Sequence, residues 1–356
     1  MDQNITLMAV GDIMLGDHPM CSGHGVGSNI KINGSEYIFQ HVIKKFTNSD
    51  IIFGNLEAVL SNKNLNLNYP PSNHLRGKPN SVEGLSIAGF NILSLANNHA
   101  MEHGKEALDD TKNVLFKNNI YPIPQLTELN TIQIPLIITI KDIRIAFLAY
   151  CLIPDGTAYG YNNDVCNIIE DIKQAKNRCD LLILSLHWGY EYMETPSPKQ
   201  VLLAHELIDS GANIILGHHP HVSQPIEIYK NNLIAYSLGN FVFDMWQVKT
   251  RTSMILEIEM CAKGIKKFEI HPILINKQYQ PCILEGVCDL IPIYRESDLN
   301  NYDFNDAAYI KQASNAVRNY QKDIKLYFIK NFYRYPRRHK LFLINRYIKR
   351  RLLWLK

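Results

Sequence analysis

Long hydrophobic runs are missing from this sequence. Its most apolar stretches, such as ITLMAV at 5–10 and DLLILSLHW at 180–188, fall well short of the ~20 residues that span a bilayer, so no transmembrane helix is expected. The first residues, MDQNITLMAVGD, have no basic start, no long apolar stretch and no small-residue cleavage site. No secretory signal is expected from them, and the chain is predicted to be cytoplasmic or peripheral on the inner face of the membrane. Patterned cysteine is missing too. The seven cysteines, at 21, 151, 166, 179, 261, 282 and 288, are odd in number and form no CxxC, which points to reduced thiols. No internal repeat is visible. Acid is nearly missing from one end: residues 321–356 hold 12 Lys or Arg against Asp323 alone, while residues 1–320 hold 25 basic and 33 acidic side chains. The chain thus has a mildly acidic body and a strongly basic tail.

What is present is a repeated pattern of short, β-branched apolar runs that end in polar clusters: ITLMAV, DIIFGN, FNILSLAN, RIAFLAY, DLLILSLHW, NIILGHH and LIAYSLGN. Runs of this length fit strands buried on both faces. Helical segments lie between some of them. GKEALDDTKNVLFKNN at 104–119 carries an apolar stripe, and PKQVLLAHELIDSG at 198–211 starts on Pro and stops on Gly, with His205 read as a packing residue. TSMILEIEM and KKFEIHPILI read as two strands joined by a turn at Lys263 and Gly264, and NKNLNLNYPPSN at 62–73 as a loop. The alternation predicts a layered α/β domain, and 356 residues suffice to bury its core.

Layered α/β proteins gather ligands at the carboxyl ends of their strands. Here those ends carry Asp12, then Asn55 and Glu57, then Asn97, Asn98 and His99, then His187, then His218, His219 and His221. Imidazoles combined with carboxylates and a neutral amide suit a borderline divalent ion, Mn, Zn or Fe, rather than Mg or Ca. Two such ions sharing a carboxylate would clamp a displacement at phosphorus.

GDIMLGD, NLE at 55–57, SLANNHAMEHG at 94–104, LHWGYEY at 186–192, GHHPHVSQPIE at 217–227 and YSLGNFVFD at 236–244 together resemble the capsule synthesis protein CapA family, over roughly residues 5–275. That family looks like a branch of the calcineurin-like metallophosphoesterases. The resemblance implies a four-layer αββα metallophosphatase-like sandwich over residues 1–300 with a basic helical C-terminal extension at 301–356. Its implied metal ligands are Asp12, Glu57, Asn98, His187, His219 and His221, holding one or two divalent transition ions, with His218 outside the closing pair. His99 falls at the place of a general acid, and Glu102 three residues on would orient it. Met14 stands where phosphoesterases carry a histidine, so one ion loses an imidazole, with His18, Asp17 or water as candidate replacements. Arg76 and Glu191 are candidate substrate-binding residues; Asn240 and Asp244 read equally well as part of a turn that seals the sheet.

The activity implied is metal-dependent, phosphoester-type hydrolysis in making an anionic capsule or envelope polymer such as poly-gamma-glutamate. The alternative is a non-catalytic metal-bound scaffold. The expected partners are that polymer or a phosphorylated envelope intermediate and the capsule synthesis machinery, with no nucleic acid. Helices are predicted at 306–331 and 339–355, broken at Pro336. The second sets Leu341, Ile344, Ile348, Leu352 and Leu355 against Arg346, Lys349 and Arg350, with Trp354 near its end, which suits peripheral membrane or polyanion contact through residues 321–356.

Overall fold

Six strands carry the architecture: β1 (Ile5–Ile13), β2 (Ile51–Leu56) and β3 (Ile92–Ser94) in one sheet, and β4 (Ile143–Cys151), β5 (Leu181–His187) and β6 (Ile214–His218) in another. Each triplet is parallel. The computed structural model describes residues 4–126, 133–162, 164–287, 290–295 and 305–353, except the side chains of 295 and 346–353. Cys288, Trp354 and Leu355 therefore lie outside the described residues, as do the side chains of Ile348 and Leu352 in the apolar stripe expected on the last helix.

The eight-stranded sheet runs Pro281–Ile283, Gly264–Ile275, Thr252–Cys261, β1, β2, β3 and Tyr121–Ile123, with Asn240–Val242 also pairing to β1. The expected C-terminal strand pair is thus a continuation of this first sheet. The seven-stranded sheet runs Ile293–Arg295, Ile226–Tyr229, Asn232–Ala235, β6, β5, β4 and Leu136–Ile140.

Side chains alternate across each sheet and so feed separate cores. Leu7, Ala9, Ile51 and Phe53 meet Ile145, Phe147, Ile183, Ile214 and Leu216 between the two sheets. On the outer face of the first sheet, Met8, Val10 and Ile52 pack with Ile38, Phe39, Leu85 and Leu115 from the covering helices. On the outer face of the second, Leu148, Leu182 and Leu184 pack with Ile168 and Ile172 of the helix Val165–Lys176 and with Val201 and Leu207 of the helix Pro198–Asp209. The result is the four-layer α/β/β/α sandwich implied by the resemblance.

The helix Pro198–Asp209 begins as its sequence dictates, with a reciprocal capping box between Ser197 and Gln200 and Pro198 in the first turn. His205 packs flat on Tyr229, ring centroids 3.8 Å apart, and its Nε2 lies 2.8 Å from Glu227 Oε1.

The basic C-terminal segment forms the helices Asp306–Asn331 and Arg337–Leu353, separated by a short turn at Phe332–Arg334 and Pro336. Aromatic contacts lay it along the body. Tyr320 is buried in the outer core of the first sheet, Tyr335 Oη donates to Met20 O at 2.6 Å, and Tyr309 Oη donates to Thr195 O at 2.6 Å. No helix among the described residues is long and apolar enough to cross a membrane.

Candidate metal centre

Parallel strands end together, so the polar residues at their C-terminal ends share one edge. Asp12 of β1 is in register with Asn55 of β2, and His187 of β5 with His218 of β6. A register irregularity between Ala9 and Asp12 exchanges the faces of β1: Ile13 joins Met8 and Val10 in the outer core, and Asp12 turns toward the space between the sheets. Close backbone approach fixes this edge. A Cβ on Gly11 would lie 1.8 Å from Gly239 O, and one on Gly217 would lie 2.0 Å from Tyr236 O, so neither position accepts a side chain.

Asp12 sits at the middle of the cluster. Its Oδ1 accepts from Asn55 Nδ2 at 2.8 Å and lies 3.3 Å from His218 Nδ1. Its Oδ2 lies 3.4 Å from His221 Nδ1 and accepts from the His219 backbone N–H at 3.4 Å. Glu57, the residue after β2, faces it and has no hydrogen-bond partner for either oxygen, although both are buried. Three imidazoles instead point at Glu57 Oε1: Nε2 of His99 at 3.8 Å, of His187 at 3.8 Å and of His221 at 3.9 Å. Ligand atoms about 2 Å from a shared ion stand about 3–4 Å from one another. Asp12, Glu57 and His221 offer ligand atoms that all lie within 4.8 Å of one another. Asn98 Oδ1 joins them, 2.9 Å from His187 Nε2, and His219 brings a ring 4.9 Å from that of His187, with its Nδ1 unpartnered. His219 and His221 hold left-handed backbone, φ 96° and 58°, an uncommon conformation for residues with a side chain and one that aims both rings inward.

The electrostatics fit ligands without an ion. Burial and the facing Asp12 charge push Glu57 up to about 8. Burial acts against a charged His221 but is outweighed by Glu57 and Asp12, which hold it at about 10. Burial likewise opposes ionisation of Asp12, yet His218 and His221 keep it well below the usual carboxylate range. Burial holds His187 well below its ordinary value and takes His219 down to about 4, so both present neutral nitrogens. A buried carboxylate left protonated and bare is costly to a fold unless something else uses it. A divalent ion is a fitting occupant for this donor set.

Residues 6–245 match the family described as bacterial capsule synthesis protein PGA_cap. The chain belongs to the PGA_cap family. It is 31% identical to the capsule biosynthesis protein CapA of Bacillus anthracis over 310 residues, 83% of this chain and 73% of that one. It is 32% identical to the PGA biosynthesis protein CapA of Bacillus subtilis over 293 residues, 78% and 73% of the two chains. A solved phosphatase structure from Mycoplasma pneumoniae aligns with TM-score 0.48 and 16% identity over 77% of this chain and 95% of that one, a level that bears on neither substrate nor mechanism.

In this PGA_cap protein the six expected ligands Asp12, Glu57, Asn98, His187, His219 and His221 meet at one place. His99 and Glu102 also meet, Nδ1 to Oε2 at 3.0 Å. Glu191 is half-buried and close enough for its charge to act on Glu57, His219 and His221. Arg76, expected at the substrate, is instead committed to its own loop: Nε donates to Ser72 O at 2.8 Å, and Nη1 to Ser61 O and Lys63 O at 2.6 and 2.8 Å. Met14 lies in the apolar core, where its Sδ accepts from Gly16 N at 3.1 Å. Asp17 is occupied by Gly23 N, Ser28 N and Ser28 Oγ, so it is no replacement ligand, whereas His18 is near enough to be acidified by burial and by His221, to about 3.

Three participants escape a reading by motif. His218, set aside as outside the pair, is the last residue of β6, buried against Asp12 with neither ring nitrogen hydrogen-bonded. Asn55 links Asp12 to His187, donating to the first and lying 3.4 Å from Nδ1 of the second. Asn240 Oδ1 lies 2.9 Å from His221 Nδ1 and so fixes which ring edge faces Glu57. Strand register was the available signal, since Asp12 is aligned with both Asn55 and Asn240.

Behind the centre, the segment that follows His187 is clamped by the C-terminal helix. The Tyr192 backbone N–H donates to Pro220 O at 2.8 Å, inside the histidine loop, and the Tyr192 ring stacks on Tyr320 at 4.2 Å; Tyr320 stacks in turn on Trp246 at 5.5 Å. Tyr320→Ala is therefore expected to cost about 3 kcal/mol of stability by loss of a buried ring and to weaken metal binding. Denaturant melts and metal titration check it; Tyr320→Phe, which keeps the stack, should remain near wild type in both.

Proposed function

We propose that this PGA_cap protein is a metal-dependent hydrolase of phosphoester type that acts in the biosynthesis of an anionic capsule or envelope polymer such as poly-gamma-glutamate. The observation that carries the reading is Glu57 Oε1, buried and unpartnered, with three imidazole Nε2 atoms 3.8–3.9 Å away. Asp12, Glu57, Asn98, His187, His219 and His221 would hold one or two divalent transition ions, Mn, Zn or Fe. A bound ion supplies Lewis-acid polarisation of the substrate oxygen and water acidic enough to attack at neutral pH.

The chain's own residues do the rest. Burial opposes protonation of His99, but the hydrogen bond and charge of Glu102, with the charge of Glu57, hold it above the usual histidine range. His99 Nε2 thus keeps a proton to give a leaving oxygen, while Glu102 on Nδ1 fixes the ring. Burial of Asp12, Glu57, His187 and His218 excludes bulk water from the inner side of the centre. The basic tail would keep the protein beside a polyanion, an anionic membrane or other capsule synthesis proteins.

The test is a panel of phosphomonoester, phosphodiester and gamma-glutamyl substrates offered to metal-loaded protein, with His99→Ala as control. Turnover of one class, lost in the variant, is the expected result. Bound metal with no turnover of any class would favour the scaffold reading.

A further inference from the structure

A cavity of about 730 Å³ lies beside the loop that carries Asn98 and His99, between the helix Lys105–Lys117, the strand pair Gln125–Leu126 and Gln133–Ile134, and residues 158–162. None of the six metal ligands lines it, nor does His99 or Glu102. Its size suits a small molecule. Its wall is bonded to the loop of the centre. The Tyr159 backbone N–H donates to Asn97 O at 3.0 Å, Thr157 Oγ1 to Asn98 O at 2.6 Å, and the Met101 backbone N–H to Thr157 O at 2.9 Å. Gly160 lies so close that a Cβ there would stand 3.1 Å from Ala96 Cβ. A shift of residues 157–160 therefore carries the loop at 96–101 with it.

The charges that line the cavity leave one group over. Lys105 Nζ pairs with Asp109 Oδ2 at 2.6 Å, and Asp171 accepts from Tyr150 Oη at 2.9 Å. Lys112 is half-buried, and its Nζ donates to Tyr159 Oη at 2.7 Å while standing 4.1 Å over that ring. Tyr159 gives its own proton to Pro124 O at 3.2 Å and stays neutral. Among the described residues no carboxylate reaches Lys112 within ion-pair distance, and burial pushes its ammonium below the ordinary lysine value. A charge withdrawn from water without a counter-ion costs stability unless a ligand supplies one. Leu108, Leu126 and Met101 form the apolar side of the cavity. A cationic ligand would meet Lys112 and find both acids engaged. A polyanion would set its surplus charge against Asp109 and Asp171. One negative charge on an apolar body matches both parts.

We propose that this cavity is a second ligand site, for a small organic monocarboxylate whose carboxylate pairs with Lys112 and whose apolar body lies along Leu108, Leu126 and Met101. Its occupant braces residues 157–160 and, through them, the loop of Asn98 and His99. Metal and carboxylate then strengthen each other's binding by one factor, as linkage requires. The coupling rests on the metal-centre assignment. The site itself does not, and it is read on metal-free protein, so the two can fail separately.

The full-length, metal-free chain is prepared with isotope-labelled methionine methyl groups, the Met101 signal is identified by its loss in Met101→Leu, and phenylbutyrate is titrated in by NMR. A saturating shift of the Met101 signal is expected. Lys112→Met, which removes the charge, and Asn167→Trp, which fills the rim, should each weaken binding about tenfold. Lys112→Arg should retain most of it, and phenylbutylamine, the cationic counterpart, should bind about tenfold more weakly than phenylbutyrate. An unmoved Met101 signal would overturn the proposal. So would dissociation constants within about twofold of wild type in both Lys112→Met and Asn167→Trp, or phenylbutylamine binding as tightly as phenylbutyrate. Asn167 is exposed, so its substitution keeps the test valid if Lys112→Met does not fold. In a second titration, saturating phenylbutyrate should raise manganese affinity about fivefold in wild type and leave it unchanged in Lys112→Met. An unchanged affinity in wild type would overturn the coupling.

Discussion

Glu57→Gln is expected to strip the centre of its metal while leaving the metal-free protein at least as stable as before. Both Glu57 oxygens are buried without hydrogen-bond partners, and burial with the nearby Asp12 charge keeps the carboxyl protonated up to about pH 8. A neutral amide of the same shape therefore removes little from the metal-free fold. It does remove the oxygen that faces three imidazoles. Loss of even an outer partner costs metal sites about 10–100-fold in affinity, so loss of this ligand should cost at least about 100-fold.

The sign of the pH dependence follows from the same group. Above pH 4.5, the ordinary value of the carboxyl, the unfolded chain has released this proton, whereas the folded metal-free chain keeps it to about 8. Metal-free stability should fall as pH rises through that window, and Glu57→Gln should flatten the fall. His221 acts in the same direction: its contribution is fully present below 6.5 and is lost as pH climbs through about 10. Because an ion must displace these protons, metal affinity should rise with pH across neutrality, with proton release visible by titration calorimetry in buffers of different ionisation enthalpy.

His99→Ala is expected to keep the metal and lose about 10²–10⁴-fold in kcat, the usual contribution of a positioned general acid. His99 is more exposed than the surrounding ligands, so its removal leaves the buried cluster intact. A general acid works only while protonated, so activity should fall as pH rises past the His99 value. Glu102 holds that value up through its hydrogen bond and charge; Glu102→Gln should move the alkaline limb of the pH–rate profile to lower pH. An unmoved limb would assign Glu102 a purely structural part.

The layers, and the meeting of most candidate site residues, were legible because strand-end chemistry is local. Asp12, Glu57, Asn98, His187, His219 and His221 each follow an apolar run, and buried parallel strands bring such ends together. His218 stands outside the closing pair, and GHHPHV alone gives no sign of which way its ring turns. β6 ends on His218, in register with His187, and that register turns the ring toward Asp12. Arg76 was misjudged for a related reason. A basic residue before a helix looks available to an anion, but the loop at 61–77 has carbonyls with no strand partner, and the guanidinium satisfies three of them. The seating of the C-terminal helices against the body was out of reach. It depends on Tyr320 meeting Tyr192 and Phe342 meeting Tyr69, contacts between residues more than a hundred positions apart.

The most direct test is metal content, by elemental mass spectrometry, of the wild-type chain and Glu57→Gln after reconstitution with Mn, Zn or Fe near pH 8. The expected result is one or two ions per chain in wild type and a large loss in the variant, with the metal-free variant melting no lower than metal-free wild type. A wild-type chain that retains no transition ion, or a Glu57→Gln chain that retains it fully, would contradict the assignment of this cluster as a metal centre.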